Sequence, residues 1–195
     1  MDGNGKTPGE VSAKTHKFSP RLLDTELPFP SVSDRDSRVP SDTQIQYITG
    51  DATAPIGKGN KIIAHVCNDV GAWGAGFVLA ISKRWPQPRA EYMKDKTAQS
   101  LKLGTVSLVR VERTVWVANM VAQRDIRWRD GVPPIRYDAL LECLKQLGFH
   151  AHQLNATIHM PRIGCGLAGG KWERVEPLLR ETIPGTQIFV YDLPR

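Results

Sequence analysis

The chain has 195 residues, 41% hydrophobic and 24% charged, with a formal charge of +6: enough for one globular domain with a sizeable core and short for two. No apolar run approaches the ~18 residues of a membrane-spanning helix, and the N-terminal stretch lacks the apolar region of a secretory signal, so a membrane partner is not expected. The cysteines, Cys67, Cys143 and Cys165, are odd in number and lack CxxC or Cys/His spacing, which points to reduced thiols in a cytoplasmic or nuclear setting, with no disulfide framework and no zinc.

In chain order, residues 1–43 come first and differ from the rest. They hold five Pro, six Ser and three Gly, with only Phe18 and Phe29 as aromatics. Such a segment buries too little apolar surface to offset its ordering entropy, so it reads as a disordered tail, with Phe18–Leu27 as a stretch that could dock. It carries six Lys/Arg against seven Asp/Glu, a net of −1, so residues 44–195 hold +7. A basic domain invites an anionic partner.

From residue 44 strands and amphipathic helices alternate. Ile45–Ile48 is a short strand and Lys61–Val66 a buried one. A glycine-punctuated loop leads into a helix over Phe77–Arg84; a second, opened by Pro86 and Pro88, runs to about Gln99. Val106–Val111 and Thr114–Val121 are strands. Tyr137–Gly148 is a helix with Leu140, Leu141, Leu144 and Leu147 on one face and Gly148 as its C-cap. Thr157–Met160 is a strand, Lys171–Thr182 a helix bent or interrupted at Pro177, and Gln187–Tyr191 the last strand. Six strands interleaved with helices predict an α/β domain with ligands at the carboxyl edge of its sheet.

Two loops carry the chemistry. Cys67-Asn68-Asp69-Val70-Gly71-Ala72-Trp73-Gly74-Ala75-Gly76 and Gly164-Cys165-Gly166-Leu167-Ala168-Gly169-Gly170 each pass from a strand into a helix. Glycines there let backbone N–H groups approach a phosphate, and the helix N-terminus adds partial positive charge. One such loop alone can exist for tight packing. Two on the same sheet point to a ligand with two phosphates. Neither has dinucleotide GxGxxG spacing or the GK[ST] of a P-loop.

The succession Thr49-Gly50-Asp51, AHVCNDVGAWGAG, VANMVAQ, MPRIGCGLAGGKW and FVYDL resembles the macrodomain family over residues 44–195. Within it the chain looks closest to the branch holding an ADP-ribose-1''-phosphate phosphatase, a terminal ADP-ribose protein glutamate hydrolase and the macrodomain of a chromatin remodeller. The resemblance implies a three-layer α/β/α sandwich around a mixed sheet of about six strands. It implies a ligand, ADP-ribose or a derivative, with ADP-ribosylated proteins as partners, and a monomer that needs no metal or redox cofactor. The implied activity is hydrolysis of a substituent on the distal ribose. The alternatives are a non-catalytic reader of ADP-ribosylated protein or poly(ADP-ribose), and a nucleic-acid module.

By the same resemblance, Asp51 accepts from the adenine amino group, with Ala52 beside it, and Asn68 lies at the distal ribose. Gly74, Ala75 and Gly76 wrap that ribose and a phosphate. Gly164, Cys165, Gly166, Leu167, Ala168 and Gly169 form the second phosphate loop, and Tyr191 and Leu193 border the adenine. His65 matches the position taken as catalytic in the phosphatase, with Asn68 and Asp69 assisting. The chain departs from the glutamate hydrolase, which has Lys at Gln123 and Asp at Ala168, so that lysine-adduct route is not implied here.

Each residue also has a plainer reading. Asp51 after Gly50 could shape a turn, Trp73 and Trp172 could pack rather than stack on ligand, and His65 could be a core histidine satisfied by a backbone carbonyl. Cys67 and Cys165 lack an evident base and are not expected to act as nucleophiles. The six arginines between Arg110 and Arg136, interleaved with Trp116 and Trp128, form either a nucleic-acid or poly(ADP-ribose) surface or a solvated face with stems over apolar groups.

Overall fold

The computed structural model describes residues 43–194; the expected tail up to residue 42, Phe18–Leu27 included, lies outside them. Strand-forming runs rich in Ile and Val build β1 (Gln44–Thr49), β2 (Asn60–Asn68), β3 (Val106–Glu112), β4 (Val115–Gln123), β5 (Ala156–Pro161) and β6 (Gln187–Asp192). They pair in the order β1-β6-β5-β2-β4-β3. All neighbours are parallel except the β3–β4 pair, which is antiparallel. The sheet is therefore mixed.

Parallel strands need crossovers, and four helices supply them: α1 (Phe77–Arg84), α2 (Gln87–Thr97), α3 (Tyr137–Leu154) and α4 (Trp172–Thr182). Alternation along β2 and β4 divides the core into two layers. Ile62, Ala64, Ala118 and Met120 meet Leu140, Leu144, Leu147 and Leu179 of α3 and α4, while Ile63, Cys67 and Val117 meet Val78 and Ile81 of α1, Tyr92 of α2 and Trp85 between the two helices. The result is the expected α/β/α sandwich. Thr43, assigned to the tail by sequence, is buried and donates to the carbonyls of Arg180 at 3.2 Å and Ile183 at 3.0 Å.

Two helices differ from expectation. α3 does not stop at Gly148 but runs on to Leu154, and Asn155 closes it at φ 46. Gly148 serves a contact: a Cβ there would lie 3.0 Å from the Thr182 carbonyl at the end of α4. α4 passes through Pro177 without interruption. Pro177 is exposed, so the Glu173 carbonyl that loses its amide partner can turn to water.

Candidate functional site

β2 and β5 lie side by side in the sheet, and each delivers its glycine-rich loop at its carboxyl end. Between the loops lies a cleft of about 660 Å³ bordered by Asn68, Gly74–Phe77, Gln123, Ile126, Arg162, Gly164 and Gly166–Ala168, while Cys165, expected in the second phosphate loop's lining, is not among the residues that border it; the volume is within the about 300–1,000 Å³ of small-molecule sites. Leu167 spans it: a Cβ on Gly76 would be 3.5 Å from Leu167 Cδ1.

The first loop is shaped by side chains. Asn68, 7% exposed, donates from Nδ2 to the Ala72 carbonyl at 2.7 Å, and its Oδ1 accepts from the Val70 and Ala72 amides at 3.2 and 2.9 Å. The Tyr92 hydroxyl donates to Asn68 from below. Gly76, at φ 78 and ψ −150, then turns the chain into α1 through backbone space that only glycine enters easily. Among the described residues the N–H groups of Gly74, Ala75, Gly76 and Phe77 take no protein acceptor.

The second loop is shaped by its backbone. Gly169 N–H reaches Gly166 O at 2.9 Å and Gly170 N–H reaches Gly164 O at 2.8 Å. Ile135 packs against Gly164, and Trp128 and Pro133 against Gly169. The amides of Gly166, Leu167 and Ala168 have no backbone acceptor among the described residues. Both loops thus present groups of uncommitted donors to one space, an arrangement suited to phosphate oxygens.

The nominated polar residues are placed differently. His65 does not end its strand; β2 continues three residues further, to Asn68. Its ring is 2% exposed, with Nε2 2.7 Å from Asn119 Oδ1 and Nδ1 3.7 Å from Cys67 Sγ. Trp73 meets it edge-on at 5.4 Å. It is a satisfied core histidine at the cleft floor, its partner a side-chain amide rather than a backbone carbonyl, and burial lowers its pKa to about 4. Asp69 is not among the cleft-lining residues; its Oδ1 accepts the Asp125 amide at 2.7 Å and ties down the loop after β4. Burial raises the pKa of both Cys67 and Cys165, away from thiolate.

At the other end, Asp51 is exposed and forms a turn, its oxygens accepting from the Thr53 amide at 2.8 Å and the Thr53 hydroxyl at 2.9 Å. Ala52 is buried beneath it. Tyr191 is 5% exposed and Leu193 76% exposed. Leu193 borders a second cavity of about 580 Å³ with Thr49, Arg162 and Asp192. Arg162 therefore borders both cavities. Its guanidinium holds Asp192 through two bonds of 2.7 and 2.8 Å and lies 5.0 Å from the Tyr47 ring and 5.4 Å from the Trp172 ring.

Sequence reasoning passed over Arg162, although its place directly after a buried strand was a usable signal. Asn119 and Tyr92, which hold His65 and Asn68, gave no such signal. Trp73 packs, with its indole N–H on Ser82 at 2.7 Å. The arginine segment does not form one surface. Arg110 lies with Trp116 at the β3–β4 turn, at the opposite end of β4 from the cleft. Arg129 pairs with Asp125, and Arg136 Nη1 donates to the Pro134 and Ile135 carbonyls at 3.1 and 2.9 Å.

The profile of the Macro domain family matches residues 64–179. The chain is 32% identical over 164 residues to the mouse chromodomain-helicase-DNA-binding protein 1-like, covering 78% of this chain and only 18% of that one. It is 27% identical to an ADP-ribose 1''-phosphate phosphatase from Lodderomyces elongisporus, over 69% of this chain and 90% of the relative. A solved macrodomain protein from Streptomyces coelicolor superposes with a TM-score of 0.69 at 48% identity, covering 76% of this chain and 99% of that one.

Proposed function

This chain belongs to the macrodomain family, and from that premise we propose that it binds ADP-ribose or a derivative and hydrolyses a substituent on the distal ribose. One observation carries the binding half: two glycine loops aim uncommitted backbone donors into one cleft of about 660 Å³. Amide donors at a helix N-terminus favour a diphosphate. Asp51 would take the adenine amine, since each carboxylate oxygen already bonded to Thr53 keeps a further lone pair. The named phosphatase relative supports the hydrolytic half. Water would attack beside Gly74–Gly76, with Asn68 fixing that loop and His65 supporting its floor. A second reading, a reader without turnover, is favoured by a specific observation: the side chains of His65, Asn68 and Asp69 are all engaged within the protein.

Calorimetric titration with ADP-ribose tests binding, and incubation with ADP-ribose-1''-phosphate, O-acetyl-ADP-ribose and ADP-ribosylated protein tests turnover. Asp51→Ala should weaken ADP-ribose binding by about 1.5–3 kcal/mol, and unchanged affinity would remove the adenine assignment. Product from none of the three substrates would leave the reader. His65→Ala should lower turnover more than affinity, and normal turnover would make His65 purely a core residue.

A further inference from the structure

Beneath the connector of residues 50–59 lies a buried hydrogen-bond chain with no part in the cleft. His159, 0% exposed, stacks on Phe189 at 4.8 Å with 14° between the rings. Its Nδ1 is 2.8 Å from the Tyr191 hydroxyl and its Nε2 is 2.8 Å from Thr157 Oγ1. The Tyr191 oxygen in turn accepts the Ile56 amide at 3.1 Å. Thr157 Oγ1 faces the Asn60 carbonyl at 3.4 Å.

One assignment of protons satisfies every one of these contacts. Ile56 N–H donates to Tyr191, Tyr191 O–H to His159 Nδ1, His159 Nε2–H to Thr157, and Thr157 O–H to Asn60. The chain leaves the middle of the connector, crosses β6 and β5, and returns to the first residue of β2, where the connector ends. Only the neutral imidazole, with one acceptor and one donor, completes it in this sense. Among the described residues the connector's other hydrogen bonds are Gly50 N–H on Asp192 O at 2.9 Å, Ala54 N–H on Asp51 O at 2.9 Å, the Asp51–Thr53 turn, and Lys61 Nζ on Gly59 O at 2.9 Å. Tyr191 touches it twice, since its ring also lies 3.6 Å from where a Cβ on Gly50 would sit.

We propose that His159 and the Tyr191 hydroxyl are positioning residues that hold the Asp51 connector in the shape that discriminates the purine of the ligand. This rests on the ADP-ribose reading and makes the base selectivity of the Asp51 contact depend on a buried chain that does not itself touch the ligand.

The test compares the parent with Tyr191→Phe and His159→Leu, using ADP-ribose and its hypoxanthine analogue, which lacks the exocyclic amine. Hydrogen exchange of the Ile56 amide is followed without ligand. Each variant should weaken ADP-ribose about five- to tenfold, the value of one lost hydrogen bond, and the hypoxanthine analogue less than about twofold. The double variant should be no worse than the weaker single, because both break the same chain. Ile56 should lose its protection in Tyr191→Phe. Equal weakening of both ligands, which a merely structural role would give, overturns the proposal. So does an unchanged selectivity or a still protected Ile56 amide. A parent that binds neither ligand instead overturns the ADP-ribose reading, and the selectivity argument with it.

Discussion

The two glycine loops present the same kind of donor to the same cleft but are built by opposite means. Asn68–Gly76 is held by side chains: Asn68 folds it internally, Tyr92 anchors it from below, and Trp73 docks on Ser82. Gly164–Gly170 is held by its own backbone and by side chains resting on bare Cα atoms. Similar donor geometry therefore does not imply similar vulnerability. Removing a side chain should loosen the first loop, and adding one at the packed glycines Gly164, Gly169 or Gly170 should break the second.

Acidification offers the largest effect, and it should fall on the first loop. Burial pushes His65 and His159 down to about 4, whereas the unfolded residues titrate near 6.5. Between those values the unfolded chain binds more protons, so stability present above about pH 6.5 is lost as pH falls to about 4. The upper bound is about 3 kcal/mol per histidine. His65 lies under the first loop, whereas His159 bonds through Tyr191 to the connector of residues 50–59, so the bonded amides of Asp69, Val70 and Ala72 should lose exchange protection before those of Cys165, Gly169 and Gly170. A melting temperature flat from about pH 7 to about pH 4.5 would remove the neutral-histidine account.

Gly170→Ala comes next. Its Cβ would sit 2.6 Å from the Gly164 carbonyl oxygen, a backbone atom that cannot swing aside. The cost should be about 3 kcal/mol, read as a fall of about 6–12 °C in Tm, with ligand binding lost. A parent-like melting curve would show that the second loop has slack.

Asn68→Ala should cost about 2 kcal/mol, because it leaves the Val70 and Ala72 amides without their acceptor. Its exchange signature should stay within residues 68–76; equal loosening of residues 164–170 would dissolve the contrast between the loops. Gly166→Glu should have the smallest effect on the fold, under about 0.5 kcal/mol, since nothing lies within 4 Å of its Cβ. It should nonetheless abolish ADP-ribose binding by placing a carboxylate at the phosphate donors. Retained binding in a folded Gly166→Glu protein would refute the two-loop site.

Local chemistry made much of the molecule legible. Among the described residues the strands and three of the helices follow from local hydrophobic pattern, α2 from the prolines that open it, and the glycine loops announced themselves as strand-to-helix junctions. The errors were of one kind: a residue type was read for its local meaning when its neighbours decided otherwise. Gly148 is a stop signal in isolation, yet it lies inside α3 because α4 approaches it. Pro177 is a breaker in isolation, yet its exposure makes the lost bond tolerable. Asp69 beside Asn68 looks like a reactive pair, yet its carboxylate closes a loop 56 residues away.

Sequence alone determined the sandwich, the strand-to-helix loops and the positions of glycine, because period, propensity and backbone freedom are properties of short segments. Tertiary structure decided what the polar side chains do. His65, Asn68 and His159 depend on Asn119, Tyr92 and Tyr191, whose positions only sheet register and helix packing set. Burial then fixes which partner each can satisfy and which protonation state it keeps, since an unpaired polar group or charge in the core costs too much to persist.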